Sequence, residues 1–209
     1  MNRLALQLWL WLMALGAVGI ALVSYRYLIP GAPGGGPQIL ANRFTHLGAL
    51  TVHAGFAATA LLLGPFQFVA GLRARRPSLH RRMGTIYVCC CLIAGSAGFV
   101  LALGTTAGPV AMAGFGLLAP IWIFTTAQAW RSAKARDFAA HRRWMIRSFS
   151  LTFAAVTLRV YLPIAFAAHL SYALAYPAIA WLAWVPNLIV AQLYIAQTMP
   201  RRRAAPVAA

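Results

Sequence analysis

Arg73-Ala74-Arg75-Arg76-Pro77-Ser78-Leu79-His80-Arg81-Arg82 decides the fold of this chain. Five arginines crowd into ten residues, and the long apolar runs on either side carry no charge. Outward from it, the next basic cluster runs from Arg131 to Arg147, and the last is Arg201-Arg202-Arg203. The clusters fall at every second gap between apolar stretches, and the gaps between them carry almost no charge. Short loops rich in Lys and Arg stay on the cytoplasmic side of a membrane and set orientation. The alternation predicts an all-α, polytopic protein. It is expected to be a bundle of six transmembrane helices, multi-pass in the bacterial inner membrane, with both termini cytoplasmic.

Composition agrees. The chain is 62% hydrophobic and 9% charged, where soluble domains carry about a quarter charged residues. A net charge of +17 arises from 18 basic residues against one acid, Asp137. Basic proteins often bind nucleic acid, but here the basic runs lie at helix ends, where topology and anionic lipid account for them. The expected partner is the lipid bilayer, and nucleic acid is not expected. All but one of the basic residues are Arg, the exception being Lys134, and Ala and Gly are abundant, a bias that suggests a GC-rich bacterial coding sequence. Cys89-Cys90-Cys91 are adjacent inside an apolar run. On a helix they point in different directions, cannot close an ordinary disulfide, and read as small packing residues.

A span needs about 20 apolar residues. The runs place spans at about residues 4–28, 45–72, 83–103, 110–130, 144–168 and 172–199. The first is too long for the apolar core of a signal peptide and reads as an uncleaved span ending in an interfacial Tyr25-Arg26-Tyr27 belt. Pro30-Gly31-Ala32-Pro33-Gly34-Gly35-Gly36-Pro37 is a loop. Gly104 to Pro109 forms a tight turn joining an antiparallel hairpin. The polar segment from Arg131 to Arg143 is the longest between spans. No stretch is large enough for a soluble domain, so residues 1–209 form a single integral membrane domain. Any catalysis would occur in the bundle or at its rim.

Three constellations carry chemistry. In the second span His46, His53, Ala60 and Gln67 recur every seventh residue and share one helix face. This face reads either as a packing seam or as the wall of a ligand cavity. Arg159 lies 12 residues past Arg147, about 18 Å into the bilayer by helical rise. A guanidinium there needs compensation, and Asp137 cannot reach it. Its partner is expected among backbone carbonyls, water, a neutral side chain such as Asn187, or an external anion. Pro186 beside Asn187 opens the backbone ladder and frees a carbonyl. Third, His80-Arg81 and His141-Arg142 each precede a span at matching depth. Two imidazoles facing across a bundle can hold a b-type haem, and His53 with His169 would form a second pair near the opposite surface. Covalent haem attachment is excluded, since no CxxCH exists. No P-loop, zinc-protease motif or nucleophile elbow is present either.

Three stretches together are characteristic. They are His53-Ala54-Gly55 leading to Leu63-Gly64-Pro65-Phe66-Gln67-Phe68, then Leu79-His80-Arg81-Arg82-Met83-Gly84-Thr85-Ile86-Tyr87, then His141-Arg142-Arg143-Trp144-Met145-Ile146-Arg147-Ser148 running to Thr157-Leu158-Arg159-Val160-Tyr161-Leu162-Pro163. They resemble the bacterial membrane protein family catalogued as domain of unknown function 2306, over about residues 46–192. The resemblance implies that His53, His80, His141 and Arg159 belong to one design, and it implies no activity. The layout also looks like multi-helix di-haem cytochromes of the b561 and ferric-reductase type.

Two functions follow as expectations. One is a membrane oxidoreductase that binds haem b and passes electrons to or from a quinone. His80 and His141 would be the inner ligand pair, with His53 as an outer ligand, and Arg159 or the loop arginines would neutralise propionates. The other is a small transporter or binding protein for an anionic or amphipathic small-molecule ligand, with Arg159 as the anion site, acting alone or as a homodimer. The topology is open to test. Reporter fusions after Gly35 and Gly108 should report the periplasm, and fusions near Ser78, Ala135 and Ala205 the cytoplasm. A periplasmic signal at Ala135 would sink the orientation.

Overall fold

Six helical segments of the chain are long and apolar enough to cross a membrane: Trp11–Leu28, Leu47–Phe68, Pro77–Leu103, Pro109–Lys134, Phe138–Ala167 and Tyr172–Thr198. The structure is a computed structural model and describes residues 3–29 and 37–199. The glycine–proline loop from residue 30 to 36 and the last basic cluster lie outside the described residues. Among those described, every regular element is helical, as an all-α, multi-pass membrane protein requires.

The helices are α1 (Arg3–Ser24), α2 (Pro37–Thr45), α3 (Leu47–Leu63), α4 (Ala70–Arg75), α5 (Pro77–Leu103), α6 (Pro109–Lys134), α7 (Phe138–Thr152), α8 (Ala154–Ala167), α9 (Tyr172–Leu182) and α10 (Val185–Thr198). Two spans are therefore broken helices, α7 with α8 and α9 with α10. Hydropathy located the spans but misjudged several helix ends, because it marks where lipid begins and not where backbone bonding stops. The basic stretch before the third span is not a loop up to Arg82. Pro77 opens α5 there, its missing N–H costing nothing in a first helical turn. The polar segment from Arg131 to Arg143 is mostly helix too, broken only at Ala135, Arg136 and Asp137. Asp137 caps α7, its carboxylate accepting from Ala140 N–H at 2.9 Å. The one acid in the chain is thus spent on a helix N-terminus, where negative charge is favoured. The second span is not continuous to Leu72 either. Pro65 starts a 3-10 turn, Pro65–Phe68, and Val69 is extended before α4 begins. Pro37 is the first residue of α2.

α3 packs on α5, α5 on α6, and α6 on α7, while α1 lies against α3 and α10 against α7. At the end away from the arginine clusters, α9 packs on α6, α8 on α9, and α1 on α8. That closes a ring of α1, α3, α5, α6, α9 and α8. Small residues line the contacts, with Ala60, Ala94, Ala129 and Ala180 fully buried, as expected where helices associate without a hydrophobic drive from water. Large side chains such as Leu15, Leu174 and Val190 are outward-facing and exposed, as lipid contact allows.

The closest seam is α3 on α5. A Cβ placed on Gly84 would meet Gln67 Oε1 at 3.0 Å, one on Gly98 would meet His53 Nδ1 at 2.8 Å, and one on Gly104 would meet the His46 ring at 2.5 Å. Each polar side chain of the seven-residue stripe therefore rests against a glycine of the third span, and Ala60 between them is fully buried. The stripe is a packing seam, and its outer half also lines a cavity. Gly98→Ala should strain the His53 ring and cost about 1–3 kcal/mol, read as a lower melting temperature in detergent. Ser96→Ala, at an exposed position on the same helix, should change nothing. Equal melting temperatures for the two variants would overturn the seam.

Candidate functional site

Inside the ring lies a cavity of about 230 Å³. Its apolar wall comes from Leu50, Leu61, Leu101, Phe115, Leu118 and Leu158, and its polar groups are Tyr27, Gln38, Asn42, His53, Arg159 and Tyr176. α2 contributes Gln38, Ile39 and Asn42 to the lining, at the end away from the arginine clusters. Gln38 Nε2 donates to Asn42 Oδ1 at 3.0 Å. Gln38 Oε1 accepts from Thr105 Oγ1 at 2.9 Å and from Thr106 N–H and Oγ1, both at 3.2 Å. One amide thus ties α2 to the turn between α5 and α6.

Arg159 sits on α8 in the cavity wall, half-buried. Its Nη1 donates to Ala155 O, one turn back, at 3.0 Å. The Tyr27 hydroxyl is within hydrogen-bonding reach, Tyr176 and Arg26 lie within electrostatic range, and so does His53. The partner found is a backbone carbonyl, one of the alternatives the sequence left open, and Asn187 is engaged elsewhere. Asn187 Nδ2 donates instead to Ser150 O at 3.3 Å, Thr157 Oγ1 at 2.9 Å and Ala183 O at 2.9 Å. These groups flank the two helix breaks, so the amide serves backbone that the breaks expose, and its Oδ1 accepts from Thr157 Oγ1 at 3.3 Å.

His53 Nδ1–H donates to Ala94 O at 2.9 Å. That bond fixes the neutral tautomer and leaves Nε2 as an acceptor. Deeper, Thr152 and Trp122 form the cavity floor. Trp122 Nε1 donates to Thr152 Oγ1 at 2.9 Å, and Thr152 Oγ1 donates to Ser148 O at 3.0 Å. Tyr87 Oη lies 2.9 Å from both Thr152 Oγ1 and Ser148 Oγ, and Thr126 Oγ1 lies 2.7 Å from Ser148 Oγ. Tyr87, Thr126 and Ser148 are fully buried.

A second polar group stands at the arginine-rich end. His141 Nδ1–H donates to Ala129 O at 2.9 Å, and His141 and Arg73 are within electrostatic range of His80. Gln67 faces Gly84 one turn beyond His80. His80 Nδ1 and Gln67 Nε2 are buried without a hydrogen-bond partner among the described residues. His80 and His141 thus stand at the same end of the bundle, within electrostatic range of each other. His53 and Arg159 share the cavity at the other end, so the four residues form two sites.

The remaining expected residues serve structure. His46 lies between α2 and α3, its Nδ1–H donating to Thr45 Oγ1 at 2.7 Å. His169 is exposed, follows the end of α8 and has φ of +58°. Its neighbour Leu170 N–H donates to Ala165 O at 3.0 Å, the closing bond of a left-handed helix terminator. Sequence reasoning missed Tyr27, Gln38, Asn42, Tyr87, Trp122, Thr126, Ser148, Thr152 and Tyr176, because it weighed ionisable groups above hydroxyls and amides. A signal existed in Ser148 and Thr152, one helical turn apart on one face of the fifth span.

Residues 50–195 match the model of the family described as predicted membrane protein, domain of unknown function 2306. The chain belongs to this family. No curated protein and no solved structure matches it, so the likeness to di-haem cytochromes gains no support. Within this member of the 2306 family, the cavity does not fit haem b. Its only lining imidazole is His53, and His169 points to no opposing ligand because it is exposed at a helix terminus. The volume is below the roughly 300–1,000 Å³ of pockets for drug-sized ligands, and a porphyrin is at least that large. Among the described residues no group of three or more His, Cys, Asp or Glu gathers to hold a metal ion. The cavity should therefore hold no haem, and His53→Ala should leave the visible spectrum of the protein purified in mild detergent unchanged. A Soret band that survives washing and falls in His53→Ala would overturn this.

Proposed function

We propose that this protein binds a small anionic, amphipathic molecule in the α-helical ring, with Arg159 as the anion site. One observation carries the reading: a guanidinium set in the wall of a mainly apolar cavity, in a chain whose single carboxylate caps a helix at the opposite end. Burying a charge without a counter-charge is expensive. The bond to Ala155 O and the nearby Tyr27 hydroxyl use only part of a fork with five N–H donors. A carboxylate or phosphate matches the remaining prongs in bidentate geometry. His53 and Tyr176 add further polar contacts, and the leucine and phenylalanine wall suits a short apolar body. The volume of about 230 Å³ favours a small ligand. The arginine asymmetry supports placement in the bacterial inner membrane with the cavity toward the periplasm. A haem-based electron-transfer reading draws no support from the cavity, which offers one imidazole and little room.

The test is a thermal-shift titration of detergent-solubilised protein with short-chain carboxylates and alkyl phosphates. A ligand at a hundred times its Kd stabilises the fold by about 2.7 kcal/mol, so the melting temperature of the wild type should rise. Arg159→Gln should fold yet bind at least roughly tenfold more weakly, since bonds to charged groups contribute about 1.5–3 kcal/mol. Arg159→Lys should lose most of the affinity too, because it keeps the charge but not the planar fork. Equal ligand shifts in wild type and Arg159→Gln would end the anion-site reading.

A further inference from the structure

The cavity, the buried hydroxyls and the polar group at the arginine-rich end lie along one axis of the bundle. On α5, His80, Gly84, Tyr87 and Cys91 follow at steps of four, three and four residues, which places them on one face. On α7, His141, Met145, Ser148 and Thr152 repeat the same steps. On α6, Thr126 lies one turn before Ala129, whose carbonyl accepts from His141. Three helices thus aim polar groups at a common line from the rim to the cavity floor.

The bonds along that line have a fixed sense. Thr152 has one hydroxyl hydrogen, and it goes to Ser148 O. Tyr87 must then donate to Thr152 and accept from Ser148, and Ser148 must accept from Thr126. The donor order runs Thr126, Ser148, Tyr87, Thr152, from the arginine-rich side toward the cavity. Between this chain and the rim lie Gln67 and His80, whose Nε2 and Nδ1 are buried and unpartnered among the described residues. Gln67 is 7% exposed and sits at Gly84, midway between His80 and Tyr87. Buried polar atoms of this kind are ordinarily satisfied by water, and the His80-to-Tyr87 rise of roughly 10 Å is short enough for a few molecules.

We infer that this column conducts protons between the arginine-rich face and the cavity. A proton arriving at the inner end adds to the Thr126 oxygen as that hydroxyl passes its own proton to Ser148. Ser148 passes one to Tyr87 and Tyr87 to Thr152, and Thr152, once its hydroxyl has turned from Ser148 O toward the cavity that it lines, releases one there. Each oxygen gains one proton and loses one. No bond to carbon changes and no electron moves, and rotation of the hydroxyls resets the order. Gln67, His80 and His141 form the entrance, and Arg73 and Arg81 stand in electrostatic range of His80 there.

The experiment uses full-length protein in vesicles loaded with a pH-sensitive dye, with a potassium diffusion potential driving protons. Wild-type vesicles should change internal pH faster than protein-free vesicles. Tyr87→Phe and Ser148→Ala should each slow the protein-dependent rate by roughly three- to tenfold, the factor for one lost hydrogen bond. Thr126→Val replaces Ser148→Ala if the latter is not monodisperse on size exclusion. Ser96→Ala should match wild type. The melting-temperature shift given by an alkyl phosphate is read on the same preparations, and Tyr87→Phe, which does not line the cavity, should keep the wild-type shift while its rate falls. That arm separates failure of the anion site from failure of the path. The inference falls if wild type is no faster than protein-free vesicles. It also falls if folded Tyr87→Phe and Ser148→Ala both run at the wild-type rate.

Discussion

In hydrocarbon a polar group has no water to turn to, so the protein must supply every partner itself. The seam between α3 and α5 shows how far that requirement shapes this bundle. His46, His53 and Gln67 are each accommodated by removing a side chain opposite, at Gly104, Gly98 and Gly84. The steps are equal and opposite: fourteen residues from Gln67 back to His53, fourteen from Gly84 on to Gly98. Two antiparallel helices in constant register result, close enough for the His53 ring to bond the Ala94 carbonyl. Without that approach the ring would be a buried unpaired imidazole, and the cavity would lose its oriented acceptor.

The same requirement explains the broken spans. A break exposes backbone groups, and Asn187 meets them at both breaks through Ser150, Thr157 and Ala183. The breaks in turn let α8 and α9 pack on α1 and α6 as part of the ring, while α7 and α10 pair at the other end. Arg159 reaches the cavity because α8 starts afresh at Ala154. Its neighbourhood is therefore a product of two defects and one amide, none of which lies in contact with the guanidinium.

Much of the architecture was legible in the chain. Arginine placement and apolar length located the six spans, since lipid thickness acts on composition directly. The stripe at His53 and Gln67 and the oddity of Arg159 were visible for the same reason, because a polar residue stands out against leucine. Helix ends were less legible: arginines are good helix formers, and α5 and α7 run on through the basic segments that hydropathy assigns to loops. The hydroxyl cluster was hidden. Tyr87, Thr126, Ser148 and Thr152 come from three helices, and only packing brings them within 2.7 to 2.9 Å. Depth alone could not choose among the possible partners of Arg159, because equal depth along two helices says nothing of which faces meet, and the partner found is a backbone carbonyl. The tie that Gln38 makes from α2 depends on three bonds to a turn nearly seventy residues away, and no local pattern announces it.

The glycines of α5 also carry an evolutionary consequence. Because Gly98 is the complement of His53 and Gly84 the complement of Gln67, neither member of a pair is free to drift alone. A lineage that enlarges position 98 must shrink or rotate position 53 in the same step, and one that loses the imidazole relaxes the demand for glycine. Substitution histories at these positions should be correlated across the membrane's depth, with the second span recording in its side chains what the third records in their absence.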